Sequence, residues 1–221
     1  MAAKEWQGLL VSNKGSNKAY KDILQKLGID DIVEIELPLG PSIGARIVGN
    51  AVGLTNKKPL IIGLGHHLMA YVGDSSVDYV YFDAHSDDNV NEDNSRFDCS
   101  TFIHYMDGRH YVVGIGEGIH PRKDITKWFK HDEAEKIIEQ TFRNNIFLSY
   151  DIDVFDSTVT KAHSWGDSGR MFPDQVKDLS LRIVGERNLI GLNVASYNPS
   201  LESNQDYKTV DIIVDLLKPL I

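Results

Sequence analysis

The sequence predicts an α/β protein built on a mainly parallel β-sheet, with crossover helices packed against it. Short β-branched or aromatic runs alternate with longer amphipathic segments along the 221 residues, which is the pattern of strand–helix–strand units. The predicted strands are nearly continuous apolar runs, which is typical of strands covered on both faces of a sheet. A composition of 42% hydrophobic and 25% charged residues is that of a globular protein.

Seven strands and five helices are predicted from these runs. The helix that begins at Pro173 is the best marked, because proline suits the first helical turn and apolar residues follow it at helical spacing. The predicted strands are 8–11, 32–37, 59–62, 77–82, 111–115, 145–150 and 189–194. The predicted helices are 17–27, 66–72, 131–142, 173–185 and 207–217, and the stretch 122–130 is interpreted as a solvated face. No internal repeat or Pro/Ser-rich linker divides the chain, so we predict a single domain over residues 1–221.

Acidic residues are concentrated in two short segments of the chain. The chain has 32 acidic and 23 basic residues, a net charge of −9. Residues 83–98 contain six acids and one base, and residues 149–156 contain three acids and no base. So concentrated a negative charge requires a counter-charge close by. It also disfavours a nucleic-acid-binding protein, since the phosphate backbone requires clustered Lys and Arg.

The cysteine count and the hydropathy pattern indicate a reducing compartment. Cys99 has no partner for an intrachain disulfide, which fits a reducing environment. No apolar run is long enough for a signal-peptide core or a membrane span. We therefore expect a cytoplasmic protein that acts on a small molecule and has neither a membrane nor a nucleic acid as partner.

Polar residues with metal-binding side chains follow three of the predicted strands. The segment GLGHH follows strand 59–62, DAHSD follows strand 77–82, and SYDID spans the end of strand 145–150. Ligands of open α/β sheets bind outside the carboxyl ends of the strands, and a spacing of two places side chains on one side of an extended segment. Six candidate ligands then converge on one crevice: His67, Asp83, His85, Asp87, Asp151 and Asp153.

The chemistry of this set favours two transition-metal ions. Carboxylates mixed with imidazoles suit Mn(II), Fe(II), Co(II) or Zn(II), whereas Ca(II) prefers oxygen ligands alone. One ion would leave most of the charge of four carboxylates poorly compensated, while two ions bridged by shared Asp side chains would balance it. Two ions roughly 3.5 to 4 Å apart can hold a bridging water as hydroxide near neutral pH.

The segments GLGHHL, DAHSDDN, SYDIDVFD and YNPSL resemble those of the ureohydrolases, the arginase, agmatinase and formiminoglutamase group. The resemblance implies a three-layer α/β/α sandwich around a parallel sheet of about eight strands, Mn(II) as the metal, and a homo-oligomer, a trimer or a hexamer. It implies that Asp83 and Asp151 bridge the two ions and that Asp87 orients the bridging hydroxide. The implied ligands of one ion are His67, Asp83, Asp87 and Asp151, and those of the other are Asp83, His85, Asp151 and Asp153.

The residues expected to contact the substrate depart from the family pattern. Ser196 stands where ureohydrolases usually carry a Glu that pairs with the substrate's guanidinium, and Cys99 aligns with a His proposed as a proton shuttle in arginases. Asn89 keeps the arginase-like form of DAHSDDN, in which Asn contacts the polar end of the substrate. His163, in the loop after the second acidic segment, is a further candidate for the pocket lining.

The leading hypothesis is a binuclear-metal hydrolase of linear amidine, guanidine or amide C–N bonds. Because Ser196 removes a charged, bidentate clamp for guanidinium, we expect arginine and agmatine to be poor substrates. The alternative is a catalytically divergent family member that binds metal and has a binding or regulatory role. The deacetylase branch of this fold, with one zinc ion and a His pair, is a third hypothesis, which the second-metal ligands His85 and Asp153 disfavour.

Overall fold

A computed structural model of the chain describes residues 2–12, 17–36, 41–63, 65, 69, 73–87, 100–116, 126–163, 168–202 and 208–221. These residues form a sheet of eight strands: β1 Trp6–Ser12, β2 Ile32–Glu36, β3 Lys58–Gly63, β4 Val77–Phe82, β5 Arg109–Ile115, β6 Thr126–Lys130, β7 Asn145–Asp151 and β8 Asn188–Ala195. The strand order is β2-β1-β3-β8-β7-β4-β5-β6, and every neighbouring pair is parallel. The predicted fold class is therefore confirmed.

Helices cover both faces of this sheet. The α-helices are α1 Asn17–Lys26, α2 Pro41–Leu54, α3 Pro173–Val184 and α4 Lys208–Leu217, and a 3₁₀ helix spans His131–Glu139. One apolar core contains Tyr20 of α1, Leu179 of α3 and Ile213 of α4, and a second contains Val48 of α2 together with Phe102. Since each strand in the middle of the sheet contributes alternate side chains to the two cores, its residues are almost all buried.

The predicted elements agree with the observed ones except in three regions. The stretch 122–130 was interpreted as a solvated face, but Thr126–Lys130 forms edge strand β6, whose Lys127 and Trp128 side chains are exposed. Helix α2 was not predicted, because its three glycines weaken the helical signal. The helix predicted over 131–142 is a shorter 3₁₀ helix. The helix predicted over 66–72 lies outside the described residues apart from Met69.

The register of the central strands places the acidic segments side by side. Phe82 of β4 pairs with Tyr150 of β7, and Asp151 of β7 pairs with Ala195 of β8. Asp83 and Ser196, the residues that follow β4 and β8, therefore lie at the same edge of the sheet as Asp151. None of the described helices has both the length and the hydrophobicity to cross a membrane.

Candidate metal centre

Three predicted ligands meet at the carboxyl ends of β4 and β7. Asp83, His85 and Asp153 each offer a ligand atom, and these three atoms lie within 4.8 Å of one another. The Nδ1 atom of His85 is 3.1 Å from Oδ2 of Asp153 and 3.6 Å from Oδ1 of Asp83. Two ligands bound at about 2.1 Å to one divalent ion lie roughly 3 to 4 Å apart. The spacing in this three-residue cluster therefore fits the ligands of one ion.

The two loops that carry the cluster use the same local turn. The backbone N–H of His85 donates to Oδ1 of Asp83 at 2.7 Å, and that of Asp153 donates to Oδ1 of Asp151 at 2.9 Å. Aspartate commonly accepts from the backbone two residues ahead in this way. The D-x-H and D-x-D spacings therefore fix the first carboxylate of each pair. The backbone N–H of Ala84 also donates to Oδ1 of Asp153 at 3.3 Å, which joins the two loops.

The main chain of Asp153 is held by a third segment of the chain. The N–H of Gly169 donates to the carbonyl of Asp153 at 2.5 Å. A Cβ at position 169 would lie 2.1 Å from the carbonyl oxygen of Val154, so this close approach requires glycine. The third acid of SYDIDVFD has a different role: Asp156 accepts from the N–H and hydroxyl of Thr158 and so closes a turn.

Mutual repulsion governs the electrostatics of the cluster. Asp83, Asp151 and Asp153 are between 1% and 3% exposed. Burial raises the pKa of Asp153 well above its ordinary value, and the charges of Asp151 and Asp83 raise it further. Hydrogen bonds to Asp153 and Asp83 raise the pKa of His85 to about 11, so its ring carries a proton. A metal ion binds the neutral imidazole and therefore replaces that proton with a larger positive charge.

Asp151 and Asp87 lie outside the three-residue cluster. Oδ2 of Asp151 accepts a hydrogen bond of 2.5 Å from the hydroxyl of Ser196, which is 2% exposed. Asp87 is half-buried, and its charge acts on the hydroxyl of Tyr81. Ser196 and Asp87 have φ angles of +59° and +47°. Non-glycine residues rarely adopt this left-handed conformation, and it clusters at functional sites.

His163 lies beside the segment that follows β8. Its backbone forms an antiparallel bridge with Tyr197, its Nε2 is 2.9 Å from the hydroxyl of Ser168, and it is 7% exposed. Within the part of the chain that the structure describes, its Nδ1 has no hydrogen-bond partner. The other predicted site residues, His67, Asn89 and Cys99, lie outside the described residues. Their roles, like those of the remaining site residues, stay predictions.

Comparisons with known proteins agree with this architecture. A model of the arginase family matches residues 18–220. Agmatine ureohydrolase of Thermoplasma volcanium is 15% identical, with 97% of this chain and 90% of that chain covered and a TM-score of 0.71. Arginase from Medicago truncatula is 16% identical, with 98% of this chain and 86% of that chain covered and a TM-score of 0.72. The proclavaminate amidino hydrolase from Streptomyces clavuligerus is 18% identical, with 96% of this chain and 90% of that chain covered and a TM-score of 0.69.

The structural neighbours share the fold, and the family model extends the likeness to the sequence. That match spans nearly the whole chain, including both acidic segments and the strands that carry them. It supports a hydrolase of the ureohydrolase type, and the three-residue cluster supplies a candidate metal site in the expected crevice. The chain belongs to the arginase family.

Proposed function

We propose that this protein is a binuclear Mn(II)-dependent hydrolase that cleaves a C–N bond in a linear amidine, guanidine or amide. The observation that carries the proposal is the meeting of Asp83, His85 and Asp153 at the ends of adjacent strands. A cation between buried carboxylates relieves their mutual repulsion, and this mixture of ligands suits a transition metal. The family match over residues 18–220 supports the reaction class.

The roles of the ligands follow from the two loops and from the family pattern. Asp83, His85, Asp151 and Asp153 would hold one ion, and His67, Asp83, Asp87 and Asp151 the other. When bound, such a pair activates water near neutral pH and stabilises negative charge that develops on the substrate. Asp87 would orient the attacking water.

The near-complete burial of the carboxylates strengthens their interactions with bound cations. Asp83, Asp151 and Asp153 are at most 3% exposed, so bulk water screens them weakly. We propose that the small-molecule substrate binds against Asn89, Cys99 and His163. His163 is suited to this role because its Nδ1 is buried and lacks a partner among the described residues.

The substrate class is limited by what position 196 offers. Ser196 donates its hydroxyl to Asp151 and brings no negative charge. A guanidinium or amidinium cation would therefore lack the bidentate carboxylate partner that recognises it best. A neutral amide, or a substrate whose cationic group is anchored elsewhere, fits better than arginine or agmatine.

The first experiment is a metal titration combined with a substrate panel. The metal-free protein is titrated with Mn(II), and the release of urea, ammonia or amine is measured from guanidino, formimino and amide compounds. We expect turnover to saturate at two ions per chain, and arginine and agmatine to be among the poorest substrates. Tight binding of metal without turnover of any compound would instead favour the binding or regulatory role. Efficient turnover of arginine or agmatine would contradict the expectation that these two compounds are poor substrates.

Asp83→Ala is the variant that tests the shared ligand. We expect elemental analysis to find at least one ion fewer per chain than in the wild type. Asp156→Ala is the control, because Asp156 belongs to the second acidic segment, 149–156, but its side chain closes a turn with Thr158. Two ions in the Asp83→Ala protein, or an equal loss of metal in both variants, would contradict the assigned site.

A further inference from the structure

The contact between Ser196 and Asp151 has a geometry that a substrate-binding serine would not need. The hydroxyl of Ser196 donates to Oδ2 of Asp151 at 2.5 Å, and both residues are almost fully buried. A hydroxyl has one proton to donate, and here that proton points to a carboxylate. Ser196 therefore acts on a metal-binding side chain of its own protein.

Two hydrogen bonds, one to each oxygen, hold the carboxylate of Asp151. Oδ1 accepts from the N–H of Asp153, and Oδ2 accepts from Ser196. An ionised carboxylate has about four acceptor positions, two on each oxygen. Supporting hydrogen bonds of this kind orient metal ligands.

The backbone of Ser196 is held in the conformation that this contact uses. Its φ of +59° is unfavourable for any residue with a Cβ. Ala195 on one side is the last residue of β8, and Tyr197 on the other side bridges to His163. The next residue, Asn198, donates its N–H to the carbonyl of Ala162 at 2.8 Å. A strained conformation persists only when its surroundings enforce it, and both flanks of Ser196 do so.

We infer that Ser196 is a positioning residue of the metal centre, whose hydroxyl proton orients Asp151 for the ions and is therefore not donated to a substrate. This inference rests on the proposed function, since it assigns Asp151 to the metal site. It also explains how position 196 can carry a serine in place of the glutamate usual in ureohydrolases and still belong to the site. The serine strengthens the metal centre and leaves the substrate pocket without a negative charge at this point.

A pair of variants separates the hydroxyl from the backbone. Ser196→Ala removes the hydroxyl and keeps the strained φ, whereas Ser196→Gly removes the hydroxyl and relieves the strain. The affinity of each protein for Co(II) and Mn(II) is measured by competition with a chelator, and the visible absorption of the Co(II) form reports the ligand geometry. We expect both variants to bind the metals about tenfold or more weakly and to shift the Co(II) spectrum in the same way.

Ser180→Ala controls for the loss of any buried hydroxyl. Ser180 of α3 is fully buried, accepts from the hydroxyl of Tyr150 and donates to the carbonyl of Val176, so neither of these two partners is a carboxylate. We expect this variant to lower stability and leave metal affinity unchanged. Wild-type affinity in both Ser196 variants would overturn the inference, as would a loss in Ser196→Ala that Ser196→Gly restores. A wild-type protein that binds no metal would refute the proposed function itself, so the two failures are distinguishable.

Discussion

Strand β4 has a buried aspartate near each of its ends, and the two have different surroundings. Asp78, fully buried near the amino end, accepts from Nε and Nη2 of Arg109 at 2.7 and 2.5 Å and from the backbone N–H of Arg143 at 2.7 Å. Asp83, just beyond the carboxyl end, lies close to the carboxylate of Asp153. The fold supplies Asp78 with two arginines, whereas the acids at the other end raise one another's energy.

The surroundings of Asp78 and Asp83 distinguish acids that stabilise the fold from acids that are suited to bind a cation. A buried carboxylate with its own guanidinium partner is part of the structure, and breaking the pair destabilises it. Neighbouring carboxylates that share one histidine repel each other in the folded state, and a divalent ion removes that penalty. The histidines at the two ends also differ. At the carboxyl end, Asp153 and Asp83 raise the pKa of His85 to about 11, whereas at the amino end burial lowers the pKa of His110 to about 4.

The largest effect is expected from Asp153→Asn, which removes one charge from the repelling end. Hydrolysis should fall at least about a thousandfold, beyond the range for groups that only support a ligand. The unfolding free energy of the metal-free protein should change less than in Asp78→Asn, because the lost repulsion from Asp151 and Asp83 offsets the lost contact with His85. Urea denaturation in the presence of a chelator, together with activity assays, checks both. A metal-free protein destabilised as much as Asp78→Asn would show that the acids at this end are structural after all.

Asp78→Asn is the opposite change, and we expect it to lower the unfolding free energy by about 3 kcal/mol, because it breaks a buried ion pair. The variant keeps a polar side chain of the same size but loses the charge that faces Arg109. Metal stoichiometry of the folded fraction should match that of the wild type. Elemental analysis after gel filtration tests this, and a loss of metal at unchanged stability would reverse the assignment of the two ends.

The sequence predicted the cluster at the carboxyl end of β4 but not the ion pair at its amino end. The run at 77–82 predicted the strand with its observed bounds, and the D-x-H spacing after it predicted the convergence of Asp83 and His85. Asp78 was overlooked because its partner lies 31 residues away, and only the register of β4 with β5 brings the pair together. An acid in one apolar strand and a base in the next was the available signal.

Other misses have the same physical origin. The roles of Gly169 and Ser196 depend on close approaches between segments distant in sequence, and no local pattern encodes such contacts. Edge strand β6 escaped because two of its five residues, Lys127 and Trp128, are exposed, so the run resembles a polar surface segment. Local propensity and strand-end chemistry are readable from sequence, whereas register and loop contacts are set by the assembled fold.

His110 gives the amino end of the sheet a distinct pH dependence. Its ring stacks on Tyr79 and Tyr81, and its Nδ1 is 3.1 Å from the hydroxyl of Tyr81. Burial is the main cause of its lowered pKa, and the neighbouring His104 lowers it further. A hydrogen bond with the backbone of Met106 and the charges of Asp78 and Asp107 raise this pKa, but they do not cancel the effect of burial.

We expect this histidine to destabilise the protein in mild acid. Since the pKa is about 4 in the folded state and near 6.5 in the unfolded chain, stability is complete above pH 6.5 and is lost as the pH falls toward 4. Between pH 7 and pH 5 the loss should be about 2 kcal/mol. His110→Phe keeps the stacked ring and should flatten this slope in urea denaturation of the metal-free protein. An unchanged slope would mean that other groups cause the acid sensitivity.

The smallest effect is expected from Arg143→Met, which tests how much of the stability at the amino end comes from each arginine. The side chain of Arg143 is 39% exposed, and its Nε is 3.8 Å from Oδ1 of Asp78. The backbone N–H of residue 143 would still donate to Asp78, and Arg109 would keep its bidentate contact. A partly exposed pair of this kind contributes at most about 1 kcal/mol, so urea denaturation should show a loss in that range. A loss as large as that of Asp78→Asn would mean that the two guanidinium groups act as one network, in which Asp78 is stable only with both charges present.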